Sequence, residues 1–547
     1  MKKQNTLPNI PEDKQTPLVK ELLLKIENLL VEVDTYKETN ALLKDQINIL
    51  KGEKKRPSFK PSKFDEECQA NELPDPNAAK KIPTKQTKRA GSEKKKKTPK
   101  LVIHDTQTIQ PVEIPEGSRF KNYRKVTVQE LNIESRNTLY RLAHWITLDN
   151  KGITGQLPDV LRNSRFGPNL RAYILYQYHQ CQTTEPLIHE QLTEWGVDIS
   201  TGQIDRILSG KNDKFHSEAD YILEEGLKSD YIGVDDTGGR HQGVNGYVTC
   251  ISNPLFAWFK QTRSKSRANF LTLLTALHGD YILNDAALEY LIKQRFPKSK
   301  FPVVTPYKTR YFATKVAWFD YLDSLNITSK KHRATMTEAA LMGALDEHQP
   351  NLKQIIISDD AGQFDILRHA LCWVHIERLV HKLIPLNQQQ REDIALVRDQ
   401  IWGFYRALKT YKAHEIVNKI EKERLRVWFD DIFSQKTSYT VLNRLLLRIK
   451  KKKEALLLVL DYPFIPLNTN FVERDIREWV KRRKISGGTR SEQGRRCRDT
   501  FTTLKKTCRK LGVSFWFYLL ERLGVSVQKI PPLNQIMREK MKAATGY

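Results

Sequence analysis

The sequence predicts a mixed α/β protein, and three observations carry that expectation. Two strand-like runs, Tyr231 to Val234 and the β-branched Ile355 to Ile357, pass directly into paired acids, Asp235-Asp236 and (after Ser358) Asp359-Asp360. Each reads as a buried strand that delivers a carboxylate at its C-terminal end. Helical periodicity surrounds them, including a basic amphipathic stretch that opens at Asn468-Thr469-Asn470 and carries Glu473 in its first turn. Two strand-borne aspartates and one helix-borne glutamate, in a chain of net charge +27, point to metal-assisted phosphoryl chemistry on a nucleic acid.

From the N-terminus, residues 1–17 are polar, carry three prolines and are expected to be disordered. Residues 18–52 hold a heptad seam of Leu22, Ile26, Leu29, Val33, Tyr36, Asn40, Leu43, Ile47 and Leu50. With Ile26, Val33, Asn40 and Ile47 at the a positions, β-branching and one buried Asn favour a parallel two-stranded coiled coil, hence a homodimer. Residues 53–117 lose periodicity, are rich in Lys, Pro and Ser, and include Lys94 to Lys97; they are expected to form a basic flexible linker able to track phosphates. Residues 118–228 are expected to be a mostly helical DNA-binding region. There the run Pro186 to Trp195, the turn at Gly196, and Ser200 to Leu208 have helix-turn-helix spacing.

Residues 229–490 form the expected catalytic core. Strands YIGVDD, GYVTCI and LFAWFK are followed by a helix from Arg267 to His278, with the glycines between Gly238 and Gly246 suited to a hairpin. Residues 286–350 look like an insertion; after the strand Ile355 to Ile357 the pattern turns helical past Gly362 and stays so through about 460. Residues 491–547 form a basic C-terminal helical region.

The balance of 91 Lys plus Arg against 64 Asp plus Glu favours a polyanionic partner. Six scattered cysteines with no Cys-x-x-Cys pair argue against a disulfide scaffold and a zinc ribbon. The N-terminus lacks the apolar stretch of a signal peptide, and the longest apolar run, Ala455 to Leu460, is far too short to span a membrane. The expected setting is the cytoplasm, in association with the nucleoid.

Two hard cations about 4 Å apart need oxygen ligands from several elements, and three carboxylates suffice because Mg²⁺ keeps several waters. Asp235, Asp359 and Glu473 are the candidates. An acid after a strand is also commonly a turn or helix cap, so Asp236, Asp360 and Asp285 are rivals. Arg474, Arg477, Lys481, Arg482, Arg483 and Lys484 surround Glu473 on a helix whose apolar face is Val472, Ile476, Trp479 and Val480; they form a candidate strip for DNA phosphates. His369, Cys372 and His375 recur at three-residue spacing, but three such residues on one helix converge poorly on zinc, and no zinc is expected.

Three segments, IGVDDTGG, IISDDAGQF with HALCWVHIERLVHKL, and PLNTNFVERDIREWVKRRKISGG with GRRCRDTFTTLKKTCRKLG, resemble the DDE transposases of the insertion-sequence-66 family over about residues 118–530. The resemblance implies a ribonuclease-H-like core and divalent-metal DNA cleavage and strand transfer at terminal inverted repeats. By motif it assigns Asp235, Asp359 and Glu473 as catalytic residues and as ligands of two Mg²⁺ or Mn²⁺ ions. DNA is the implied partner, with accessory helper proteins possible. The chain departs from the family in lacking the cysteine-rich segment before the core and in having Asn468-Thr469-Asn470 where the family has Asn-Asn. The rival reading is an inactive relative that occupies the repeats as a repressor.

Overall fold

The computed structural model describes residues 16, 21–22, 25–26, 103–159, 161, 164–210, 212–276, 278–297, 309–349, 354–413, 418–526 and 528–545. The chain divides into one unit of residues 10–132 and a second to which residues 133–547 belong. In the first unit, residues 103–132 are exposed and form no helix or strand, while Glu21, Leu22, Lys25 and Ile26 are helical. The rest of the expected coiled coil, and linker residues 53–102, lie outside the described residues.

The second unit departs from the expected helical start. Residues 133–143 are irregular, and β1 (His144–Ile146) pairs antiparallel with β2 (Gly152–Thr154), setting Trp145 opposite Ile153. Cross-strand pairing of an aromatic and a β-branched residue competes with helix here. Four helices follow: α1 (Pro168–His179), α2 (Glu185–Glu194), α3 (Thr201–Ser209) and α4 (Asp213–Gly226). The turn between α2 and α3 runs through Gly196 at φ +73, a left-handed conformation that glycine adopts without steric cost. Ser200 closes a capping box with Gln203 at the start of α3, so the helix–turn–helix spacing is present as a structural element.

A five-stranded sheet lies at the centre, in the order β5-β4-β3-β8-β9. Strands β3 (Tyr231–His241), β4 (Val244–Ser252) and β5 (Ala257–Thr262) form an antiparallel meander. The β3–β4 hairpin turns through Gln242 and Gly243, both at positive φ, as a type I′ turn requires. Strand β8 (Ile355–Ser358) runs parallel to β3, and β9 (Arg368–Leu371) parallel to β8. The second strand corrects the sequence reading, which continued helix through RHAL. Pairing with the buried β8 overrides the helical preference of Ala370 and Leu371.

Between β5 and β8 come α5 (Arg267–Leu274), a small ribbon of β6 (Tyr281–Leu283) and β7 (Arg310–Phe312), and the helices α6 (Asp285–Lys293), α7 (Lys315–Ser324) and α8 (Lys330–His348), with the expected insertion, residues 286–350, taking in most of α6 and all of β7, α7 and α8. After β9 comes α9 (Trp373–His381), then a helical block of α10 (Gln388–Ala413), α11 (Lys419–Ser434), α12 (Thr440–Lys450) and α13 (Lys453–Leu456). That block has its own core around Trp373, whose ring packs on Phe404, Phe429 and Phe433 and whose Nε1 donates to the Leu456 carbonyl at 3.0 Å.

Helix α14 (Asn470–Ser486) lies against β3 and β4. Val472, Ile476 and Trp479 pack on Val248, Cys250, Ala257 and Phe259. Its far end is pinned too: the Arg483 guanidinium donates to the Gly238 carbonyl, and Thr489 pairs with the end of β3 through His241 and Gln242. Helix α15 (Glu492–Leu511) covers the outer edge of β5. Alternate strand amides of Ala257, Phe259 and Gln261 donate to Thr507 Oγ1, Thr503 Oγ1 and Asp499 Oδ2 at 3.3, 3.1 and 3.0 Å. Helix residues four apart meet strand residues two apart, and the edge is closed to further pairing. Helices α16 (Phe515–Arg522) and α17 (Leu533–Thr545) complete the same core, in which α15 packs with α1 and α4. No helix among the described residues is long and apolar enough to cross a membrane.

The close approach of α14 to β3 depends on Gly233, where a Cβ would lie 2.3 Å from Val472 Cγ2 and 2.4 Å from the Phe471 ring. Gly233→Ala should therefore lower unfolding free energy by about 1–3 kcal/mol in a denaturant titration. Gly202→Ala, in α3 with nothing within 4 Å, should leave it unchanged or slightly raised.

Candidate active site

Register brings the two aspartates together. Parallel pairing sets Tyr231, Ile232 and Gly233 opposite Ile355, Ile356 and Ile357. Asp235 follows two residues later on β3, and Asp359 follows one residue past the end of β8, close enough for the two carboxylates to repel each other. Strand alternation then fixes the face: Gly233 abuts α14, and Asp235, two residues on, shares that face. Asp236 belongs to the opposite face, where its carboxylate accepts from Thr249 Oγ1 at 2.6 Å and Gln363 Nε2 at 3.0 Å.

The other rivals are also engaged elsewhere. Asp360 is paired with Lys452 at 2.6 Å. Asp285 opens α6 directly after β6, a strand of the separate two-stranded ribbon and not of the central sheet. Asp359 itself turns the chain away from β8, its Oδ1 accepting the Ala361 amide at 3.1 Å.

Glu473 reaches this site because α14 starts at a fixed point. The Cys372 amide donates to the Ser358 carbonyl at 3.0 Å, the Trp373 amide to Leu467 at 3.0 Å, and the Thr469 amide to Cys372 Sγ at 3.4 Å. These three bonds tie the end of β8 to the start of α9 and the start of α14, and thus Asp359 to Glu473. They also explain the Cys-x-x-His element. His369 lies on β9 with its Nε2 2.7 Å from Ser358 Oγ, so it does not share a helix with the other two residues. Burial favours the neutral Cys372 thiol, but hydrogen bonds with His375 and Thr469 outweigh that and hold it below the ordinary range. His375 is held above its usual value, chiefly by its bond with Cys372.

Burial, and then the neighbouring Asp359, push the Asp235 carboxyl up to about 7, with smaller contributions from Asp236 and Glu473 against the hydrogen bond from the Asp236 amide. Three acids crowded into a half-buried space repel one another, and a divalent cation is the partner that relieves this. In kind, as carboxylate oxygens, the donors fit hard cations. As they stand, however, no three His, Cys, Asp or Glu side chains among the described residues converge closely enough to hold an ion. Glu473 turns instead to α9, with Oε1 3.2 Å from Arg378 Nη1 and 3.7 Å from His375 Nε2. Arg378 does not stand out in the sequence; its one signal is the three-residue spacing from His375 on the polar side of an amphipathic helix.

The basic strip is narrower than the sequence implies. Arg474, Arg477, Lys481 and Lys484 are exposed at helical spacings of three and four. Arg482 is buried: it donates to the Tyr178 carbonyl at 3.0 Å and lies 3.8 Å from the centre of that ring. Arg483 is half-buried on Gly238. Both residues serve the docking of α14, because the helix is covered on more than its apolar side. A further side carries Asp475 and Glu478, paired with Lys506, Lys510 and Lys505 of α15 at 3.0, 2.6 and 2.7 Å.

A model of the family described as "Transposase IS66 family" matches residues 335–496, a span that includes Asp359 and Glu473. The uncharacterized protein y4jO of Sinorhizobium fredii (strain NBRC 101917 / NGR234) is 43% identical over 322 residues, covering 58% of this chain and 100% of that protein.

The raised Asp235 value has a thermodynamic consequence. An unfolded aspartate titrates near pH 4, so between about pH 4 and 7 folding takes up a proton and stability falls as pH rises, by about 1.4 kcal/mol per unit at most. Asp235→Asn, measured in EDTA, should raise the thermal midpoint at pH 8 and lose that advantage toward pH 4.5. A midpoint difference independent of pH would mean that the carboxylate is not electrostatically strained.

Proposed function

Because the chain belongs to the IS66 family of transposases, we propose that it cleaves DNA at the terminal inverted repeats of a bacterial-type insertion sequence and transfers the freed strand to a target. One observation carries this reading: Asp235 on β3 and Asp359, one residue past the end of the parallel β8, are neighbours, and the helix bearing Glu473 docks on the face of β3 that Asp235 shares. The sheet order, three antiparallel strands followed by two parallel to the first, supports a ribonuclease-H-like core.

Asp235, Asp359 and Glu473 would hold two Mg²⁺ or Mn²⁺ ions. Bound there, the cations supply activation of the attacking oxygen and stabilisation of the leaving one. In cleavage a water oxygen attacks the scissile phosphorus and the 3′ oxygen departs, taking up a proton; in transfer that 3′-hydroxyl loses its proton, attacks a target phosphorus and displaces the target strand's own 3′ oxygen. The exposed Arg474, Arg477, Lys481 and Lys484 would hold phosphates beside the acids. The helix–turn–helix of α2 and α3 would contact the repeats, and the heptad seam would pair two chains as a homodimer. Helper proteins would act with a cytoplasmic, nucleoid-associated enzyme. The catalytically inactive repressor shares the DNA-binding parts and differs only in the chemistry.

Two experiments test these roles. Asp235→Asn, Asp359→Asn and Glu473→Gln should each abolish metal-dependent cleavage of a repeat-end duplex while leaving its binding in place, because the phosphate contacts come from Lys and Arg. Full cleavage by the Asp359 variant would remove that residue from the site, and no cleavage by the unaltered chain under any divalent metal would favour the repressor. Neutralising Arg477 and Lys481 together should weaken binding across sequences and flatten the slope of log affinity against log salt by roughly one unit per lost contact. An unchanged slope would leave the stripe with no phosphate role.

A further inference from the structure

Among the three carboxylates, Glu473 is the one already committed to a cation. Asp235 accepts the neighbouring Asp236 amide at 2.8 Å, and Asp359 accepts the Ala361 amide at 3.1 Å. Glu473 Oε1 is drawn to Arg378 Nη1 at 3.2 Å, with His375 Nε2 at 3.7 Å.

The Arg378 contact has the form of a temporary one. It uses one guanidinium nitrogen, Nη1, which also lies 3.5 Å from His375 Nε2. Nε and Nη2 have no hydrogen-bond partner among the described residues. The Arg378 side chain is 44% exposed whereas Glu473 is 16% exposed, so the arginine is the more open of the two to solvent. A guanidinium with unused donors at the surface suits a phosphate, which it can grip through two nitrogens instead of one. Its structural role is small, since α9 packs through Trp373, Ile376, Glu377 and Val380.

We propose that Arg378 is a positioning residue that keeps Glu473 from joining Asp235 and Asp359 until a DNA phosphate draws the guanidinium away, so that DNA binding and metal loading are coupled. This rests on the reading of the three acids as metal ligands. Breaking the Arg378–Glu473 pair opposes metal binding in the free protein. A phosphate gives the arginine another partner and removes that opposition. Linkage then requires DNA to tighten metal binding and metal to tighten DNA binding by the same factor.

The test is a Mn²⁺ titration followed by electron paramagnetic resonance on the full chain and on its Arg378→Ala, Arg378→Lys and Asp235→Asn variants. Each is measured with and without a short DNA duplex, subtracting Mn²⁺ bound by duplex alone. In the unaltered chain the duplex should tighten Mn²⁺ at least fivefold. Arg378→Ala should bind Mn²⁺ several-fold more tightly than the unaltered chain without DNA, and the duplex should then add less than twofold. Arg378→Lys, which keeps the charge, should stay closer to the unaltered chain. If Mn²⁺ binding is lost in Asp235→Asn, yet Arg378→Ala binds no more tightly than the unaltered chain or keeps the full duplex effect, Arg378 has no such role and the ligand assignment stands. If the unaltered chain binds no Mn²⁺ with or without the duplex, the ligand assignment falls and the proposal with it.

Discussion

The contact on which the site depends is the one between Gly233 and α14. A helix normally rests on a sheet at a distance set by the side chains between them. At Gly233 there is no side chain, and Val472 and Phe471 descend into the space that a Cβ would fill. Glu473 is the next residue, so its height above the sheet is set by that descent. Burying Val472, Ile476 and Trp479 against β4 and β5 contributes roughly 1.5–3 kcal/mol for each side chain, enough to hold the helix down. The bonds from Arg483 to Gly238 and from Thr489 to the end of β3 then stop it from pivoting. Asp235 lies on the strand between these two anchor regions.

The second constraint is lateral. Asp475, 4% exposed, is paired with Lys506 and Lys510, and Glu478 with Lys505, all across the α14–α15 contact. Buried ion pairs add little net stability, because desolvation offsets much of the attraction, but an unpaired buried charge is strongly unfavourable. Sliding α14 by one turn would strand these charges. Helix α15 is in turn locked to β5 by Asp499, Thr503 and Thr507. Glu473 thus takes its position along the sheet from an edge strand that it never touches.

Much of this was legible in the sequence where local pattern and burial agree. Tyr231 to Val234 and Ile355 to Ile357 read as strands because both sides of the sheet are covered, leaving apolar runs with acids at their ends. The apolar face of α14 read correctly for Val472, Ile476 and Trp479 by its helical spacing. What failed depends on partners distant in sequence. Arg368 to Leu371 carries no strand signal of its own, and only pairing with β8 makes it one. Arg482 looks like any surface arginine until Tyr178, some three hundred residues earlier, covers it. That Asp235 and Asp236 fall on opposite faces, Asp235 on the side of α14, follows from period-two alternation once Gly233 is known to face the helix, but nothing near Gly233 in sequence announces that contact. Cys372 fits a metal-ligand spacing on paper, yet its sulfur accepts a backbone amide across the α9–α14 junction.

Net charge is a poor guide to where DNA would lie, because several of the most conspicuous basic residues are spent on the fold. Arg482, Arg498 and Lys505 are each buried to within a tenth of full cover. What remains on α14 is a single exposed stripe at positions 474, 477, 481 and 484 beside an acidic cluster. These two features act on a phosphate in opposite senses. At long range the stripe and the overall positive field attract the backbone. At short range the crowded carboxylates repel it, and burial first, then repulsion from Asp359, already hold Asp235 near the midpoint of its titration at neutral pH. On the reading proposed above, strong general affinity for DNA and a forbidding reaction centre are compatible, because the cation changes the sign of the centre without changing the stripe. DNA can then be held beside the acids before any bond in it is at risk.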